Sequence, residues 1–150
     1  MLGELNEKQI EDLLSQQVTG RLACYANEQL YIVPINYVYK DAHIYGHSAS
    51  GKKIEMMRKN PDVCFEVDKI ESIFNWQSVI AWGRFEEITA PDEQQQVMQH
   101  IIHRIMPLSQ NPLDHPSHGI AEKEEDIGCK VELMVYKIAI TKRTGRFERS

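Results

Sequence analysis

Hydrophobic positions change period several times along the chain, and each change marks an element. From Asn6 to Ser15, Ile10, Leu13 and Leu14 recur at helical spacing. Asn6 stands at the cap and Gln9 three residues on, the arrangement of a capping box. After Gly20 the period shortens. Arg21–Ala26 reads as a strand, Asn27-Glu28 as a turn, and Leu30–Tyr39 as a second strand rich in Tyr, Ile and Val. Pro34 interrupts that strand. A proline cannot donate to a sheet ladder, so it marks a bulge, an edge or a place where something else approaches the backbone. Lys40-Asp41 turns the chain into Ala42–His47, and these first three strands are expected to form a meander.

Helical spacing returns after Lys53, with Ile54, Met57 and Arg58, and Asn60-Pro61 ends it. Val63–Val67 and the longer Ser78–Ile88, broken by Gly83, alternate as strands. Asp92–Met106 follows as a helix with Val97, Ile101, Ile102 and Ile105 on its buried side. Residues 107–128 have no sustained period and contain three prolines, which suits a functional loop or lid. Val131–Thr141 is a last strand, and Lys142–Arg146 a basic tail. The order α-βββ-α-ββ-α-loop-β predicts a mainly β fold: a six-stranded antiparallel barrel with helices outside, in one domain spanning residues 1–150.

Composition narrows the class. A chain of 150 residues, 42% hydrophobic, can bury a core without staples. No apolar run approaches the ~20 residues of a membrane-spanning helix. The acidic N-terminal segment is unlike a secretory signal, and three widely spaced cysteines (Cys24, Cys64, Cys129) fit neither a disulfide framework nor a zinc ribbon, so a reducing, cytoplasmic location is expected. A net charge of −5 and a pI near 5.7 argue against a nucleic-acid partner.

Candidate chemistry concentrates in Ile44-Tyr45-Gly46-His47-Ser48-Ala49-Ser50-Gly51-Lys52-Lys53. Here a strand passes through small hydroxylated residues into a helix that begins with two lysines. Free amides at a helix start, serine hydroxyls and compact cations together suit a phosphate. The competing interpretation is an ordinary Ser-capped helix with its lysines in water. No Walker A loop, Gly-x-Gly-x-x-Gly or Gly-x-Ser-x-Gly occurs. His100-x-x-His103 and His115-x-x-His118 lack the glutamate of a zinc-protease helix and read as solvent-facing, so no metal site is expected. Cys24 and Cys64 read as small core hydrophobes, and nothing near Cys129 marks a reactive thiol. Glu122–Asp126 reads as a solvated loop or a short helix.

In order and spacing, Gly20–Ala23, Val33–Tyr39, Ile44–Lys53, Asn60–Val67 and Ser78–Arg84 resemble the pyridoxamine 5′-phosphate oxidase-like flavoproteins. The pattern is nearest the branch of the nitroimidazole-resistance proteins. The resemblance implies a split β-barrel that forms a homodimer with FMN at the subunit interface. It places the isoalloxazine along Val33, Pro34, Ile35, Asn36 and Tyr37, contacted largely through main chain. It assigns the phosphate to Ser48, Ser50, Lys52 and Lys53. His47 corresponds to a histidine beside the flavin, a proton donor by its chemistry or simply a hydrogen-bonding group. Trp76 would cover the flavin or the dimer seam, or pack as ordinary core. Ser78 stands where the oxidases carry a flavin-binding glutamine. Gly51-Lys52 replaces their Arg-Lys pair, which removes one bidentate clamp, and the Ser78 departure weakens pyridoxamine phosphate as substrate. The implied activity is an FMN-dependent oxidoreductase passing electrons from NAD(P)H or another donor to a small electron-poor acceptor. The alternative is a non-catalytic flavin or haem carrier, or a redox-responsive protein, of the same fold.

Overall fold

The structure is a computed structural model describing residues 1–108 and 133–150. The loop expected over 107–128 therefore lies, beyond Leu108, outside the described residues, as do His115, His118 and Cys129. Eight antiparallel strands form one sheet: β1 (Leu2–Glu4), β2 (Thr19–Ala26), β3 (Gln29–Asn36), β4 (Val38–Lys40), β5 (His43–Ala49), β6 (Asp62–Ser72), β7 (Asn75–Glu87) and β8 (Leu133–Glu148). Three helices accompany them: α1 (Glu7–Gln16), α2 (Lys52–Lys59) and α3 (Pro91–Ile105). The sheet runs β3-β2-β6-β7-β8-β5-β4, with β1 added to the end of β8. It curls without closing, so the mainly β barrel architecture holds, with eight strands rather than six.

The difference arises at both ends of the chain and at Tyr37. Leu2–Glu4 pairs with Arg146–Glu148, and the expected basic tail is the second half of β8, hydrogen-bonded to β7 along Lys142–Glu148. Leu30–Tyr39 is two strands, because the chain leaves the sheet at Tyr37. β3 pairs with β2 at one edge, whereas β4 pairs with β5 at the opposite edge. The expected three-strand meander is therefore two hairpins on opposite edges. The reason is burial. Tyr37 is fully enclosed, packs edge-on against Phe65 at 4.9 Å between centroids, and donates its hydroxyl to the Leu14 carbonyl at 2.7 Å. Its amide donates to Val18 O at 3.0 Å. One side chain thus occupies the gap between the two sheet edges and ties it to the end of α1.

Both hairpin turns, Asn27-Glu28 and Asp41-Ala42, place two consecutive residues at positive φ (53° and 61°, 51° and 58°), the backbone sense that matches strand twist in a two-residue turn. α1 begins with the capping box expected: Asn6 Oδ1 accepts from the Gln9 amide and Gln9 Oε1 accepts from the Asn6 amide, each at 2.8 Å. Its buried face is Ile10, Leu13 and Leu14. Burial of each such side chain contributes ~1.5–3 kcal/mol before chain entropy is subtracted. α3 covers a second, smaller cluster, in which Val97, Met98 and Ile101 pack on Val135 and Ile88. Gly83 lies where the β7–β8 register shifts. A Cβ there would sit 2.6 Å from the Ala139 carbonyl oxygen, so the strands could not approach.

Two substitutions test this framework by urea unfolding. Tyr37→Phe removes the phenol's hydrogen bond and leaves Leu14 O buried, at an expected cost of about 1–3 kcal/mol. Gly83→Ala forces β7 and β8 apart and is expected to cost about as much or more.

Candidate functional site

α2 enters from β5 through Ser48, Ala49 and Ser50. Its N-cap is Gly51, with no side-chain cap hydrogen bond, so the Ser-capped alternative does not apply. Ser48 is buried and donates to Ala49 O at 2.8 Å, whereas Ser50 is exposed. Lys52 and Lys53 diverge. Lys52 Nζ lies 4.9 Å above the Tyr31 ring on β3, a cation–π contact. Lys53 is half-buried beside Cys24, and burial holds its ammonium below the ordinary lysine value, opposed by the charge of the Cys24 thiolate. Burial in turn pushes the Cys24 thiol up, and both lysines act against that shift. The result is a cluster of two cations, an exposed hydroxyl and a helix start without a capping side chain, beside the sheet edge formed by β3.

Along β3 the predicted residues alternate in function. Val33 packs against the core and Ile35 is buried, while Pro34 and Asn36 face outward, with Asn36 Oδ1 accepting from Thr19 Oγ1 at 2.8 Å. Pro34 pairs with Arg21 on an edge strand, so its missing amide leaves no inner ladder position unfilled. Tyr37 sits behind the strand in the core, its hydroxyl already engaged, and burial pushes its phenol above the ordinary range.

His47 lies on β5 opposite Val135, on the side of the sheet that α3 covers. Trp76 and Ser78 lie on β7 instead. Trp76 Nε1 donates to Glu148 at 3.1 Å, and Ser78 faces Asp68 on one side and Arg146 on the other. Val135, the partner of His47, and Arg146, the partner of Ser78, are eleven positions apart on β8. At the usual strand rise, about 36 Å of β8 runs between those two positions. In one protomer Lys52 lies over Tyr31, two residues along β3 from Val33, and Lys53 lies beside Cys24, whereas His47 and Ser78 stand on different strands, β5 and β7, well separated along β8.

Three features escaped the sequence reading. Tyr31 was one strand residue among several, and only tertiary packing sets it under Lys52. A cleft of about 140 Å³ between β4, β5 and α3 is lined by Lys40, Tyr45, Glu93 and His100; His100 and His103 are both exposed on α3, as the spacing predicts. Among the described residues, no group of three or more metal-ligating side chains gathers. The third feature is the outward face of β2, β3, β6 and β7. There Leu30 and Ile32 are 79% and 65% exposed, and Ala23, Cys64 and Trp82 line a shallow groove of about 410 Å³. In the sequence these outward residues look like the ordinary solvent side of alternating strands.

The lysine pair generates a direct prediction. Lys53 binds its proton less tightly folded than unfolded, so stability rises with pH through the window below 10.5. Lys53→Met removes that dependence. Inorganic phosphate is expected to raise the melting temperature of the wild-type protein and to lose that effect in Lys53→Met, as calorimetry would show.

Comparison with known proteins places this arrangement. The family model described as pyridoxamine 5′-phosphate oxidase matches residues 6–147. An uncharacterised protein of Rhizobium meliloti (strain 1021) is 28% identical over 142 residues, covering 95% of this chain and 92% of that one. The crystal structure of an FAD-binding protein from Mesorhizobium loti superposes with a TM-score of 0.74 at 28% identity, covering 98% of each chain. A candidate 5-nitroimidazole antibiotic resistance protein from Bacteroides thetaiotaomicron shares the fold, with a TM-score of 0.74 at 20% identity over 98% of this chain and 87% of its own. No described helix is long and apolar enough to cross a membrane. With a match that runs from the cap of α1 to the end of β8, the chain belongs to the pyridoxamine 5′-phosphate oxidase family.

Proposed function

We propose that this protein binds a flavin, FMN in particular, and acts as a homodimeric oxidoreductase in the cytoplasm. The observation that carries the reading is the start of α2. A half-buried lysine there has its charge disfavoured by burial and no described carboxylate to pair with, beside a second lysine, an exposed serine and a helix start without a side-chain cap. A phosphate supplies the missing negative charge and accepts from those donors. Lys52, Lys53 and Ser50 would hold it, with Ser48 nearby but its hydroxyl hydrogen committed to Ala49 O. The adjacent β3 offers an open main-chain edge at Val33, Pro34, Ile35 and Asn36 for a flat polar ring system. The similarity to the FAD-binding protein of Mesorhizobium loti, at 28% identity, supports the flavin reading.

The spacing of the predicted residues supports the homodimer reading. His47 and Ser78 are too far apart in one copy to serve one small cofactor, whereas a second copy seated on the outward face can bring Trp76 and Ser78 to the other's β3 edge. That face exposes Ile32, Ile80 and Trp82, the apolar surface such an interface needs.

When bound, a flavin supplies reversible storage of electrons and hydride. The chain's own residues would anchor its phosphate, orient its ring by main-chain hydrogen bonds and hold a proton at the His47 imidazole. The electron donor would be NAD(P)H or a similar carrier, and the acceptor a small electron-poor molecule. The cytoplasmic assignment rests on free Cys24 and Cys64, which suit a reducing compartment.

The first test is the visible spectrum of untagged protein with and without added FMN. Close to one flavin per chain is expected, and acid release followed by chromatography separates FMN from FAD. A colourless protein after reconstitution overturns the proposal. Lys52→Ala with Lys53→Ala should weaken flavin binding at least tenfold by fluorescence titration. His47→Ala should retain flavin but lower the reduction rate of a nitro or quinone acceptor by about 10²-fold or more.

A further inference from the structure

The outward face carries one charged cluster that neither the phosphate cradle nor the histidine uses. Arg21 on β2 and Glu66 on β6 are register partners, and Asp68 follows two residues along the same face. Arg21 Nη1 lies 3.1 Å from Asp68 Oδ2, a hydrogen bond, but 3.7 Å from Glu66 Oε1, which is too far for one. Glu66 Oε1 is shielded from solvent and, among the described residues, has no hydrogen-bond partner. One guanidinium therefore serves two carboxylates and satisfies only one, leaving an excess negative charge. Among the described residues, no second cation pairs with Glu66 or Asp68. β3 presents Pro34 and Asn36, β6 adds Cys64, β7 presents Ser78 and Ile80, and Arg146 lies beyond Ser78 on β8.

We infer that Glu66, set between Arg21, Asp68 and Ile80 on the face where two copies meet, is a proton-coupled latch, so that dimer formation takes up protons from water onto its carboxylate. The inference rests on the homodimer reading above. Seating a second copy there strips water from three charges whose sum is negative. A two-fold interface repeats the same excess from the other copy, so desolvation and like-charge repulsion both oppose assembly. A proton on Glu66 removes the excess. The neutral carboxyl can donate to Asp68, and Asp68 with Arg21 remains a balanced pair.

The free protomer is already poised for this. Burial, then the hydrogen bond and charge of Asp68, push Glu66 up to about 7, against the opposing pull of Arg21 and Ser78. Further burial by a partner moves it in the same direction. The bound state therefore holds more protons than the free one, and affinity falls as pH rises through neutrality.

Sedimentation equilibrium of the full chain between about pH 5.5 and about pH 8.5, on either side of the Glu66 titration, tests this directly. The dimer Kd is expected to weaken at least tenfold across that range. Glu66→Gln, isosteric and neutral, should dimerise with nearly the same Kd throughout, close to the acid-side wild-type value. Asp68→Asn frees Arg21 for Glu66 and should move the midpoint toward acid. It keeps the test open should Glu66→Gln not fold. A stable dimer whose Kd ignores pH overturns the latch and leaves the homodimer standing. Persistence of the pH dependence in Glu66→Gln, or an unmoved midpoint in Asp68→Asn, also overturns the latch. A monomer at every pH overturns both readings.

Discussion

The fold turns on the hydrogen bond from the Tyr37 phenol to the Leu14 carbonyl. β3 and β4 are nearly continuous in sequence yet stand at opposite edges of the sheet, and the chain passes between them through this one buried residue. A phenol enclosed without a partner would cost about 1–3 kcal/mol, so the acceptor at the end of α1 is part of what makes the crossing tolerable. The ring packs on Phe65 and so ties the same point to β6. Everything outward of this point depends on where it leaves the strands: β3 open beside α2, and the β4–β5 hairpin under α3.

The inside and outside of the sheet then carry different duties. Inward positions are almost wholly apolar and hold the core. Outward positions mix apolar, charged and hydroxylated residues, and two groups whose charge partial burial disfavours, Lys53 and Glu66, lie away from the core's centre. Their shifts have opposite chemical sense. The Lys53 charge awaits an anion, whereas the Glu66 charge is better removed. The first fits the phosphate-binding proposal and the second fits the seating of another copy. Other charges on the surface are absorbed structurally. Arg143 bonds Glu7, Glu11 and Tyr39 and pins α1 to the sheet, with Tyr39 pushed up to about 12 chiefly by burial and then by its bond to Glu11.

Much of this was legible before any coordinates. The capping box at Asn6 and Gln9, the buried stripe of α1 and the strand-to-helix passage at Ser48–Lys53 are local patterns, and each appears where its spacing predicts. Pro34 left a bulge, an edge or a close approach open, and the fold places it on an edge strand. The long β6–β7 hairpin was under-read because Asp68–Ser72 is mostly polar and β7 begins with polar and aromatic residues, so hydrophobic alternation fades before pairing does. The basic tail was misjudged for a related reason. Lys142, Arg143 and Arg146 look solvated, yet their backbones complete ladders with β7 and, at the end, β1. Among site residues, Tyr31 and the trio of Arg21, Glu66 and Asp68 left no local signature.

Periodicity, caps and breakers by themselves determined the element types, the mainly β architecture and the phosphate-suited segment, because those depend on neighbours within a turn or two of chain. Only the tertiary structure decided that Leu30–Tyr39 divides between two edges, that Lys52 rests on Tyr31 while Lys53 goes under cover, and that Arg21 must serve two carboxylates. Each of these is a competition between groups distant in sequence for one buried volume or one donor. Such competitions are settled by long-range pairing, which leaves the local pattern of residues unchanged.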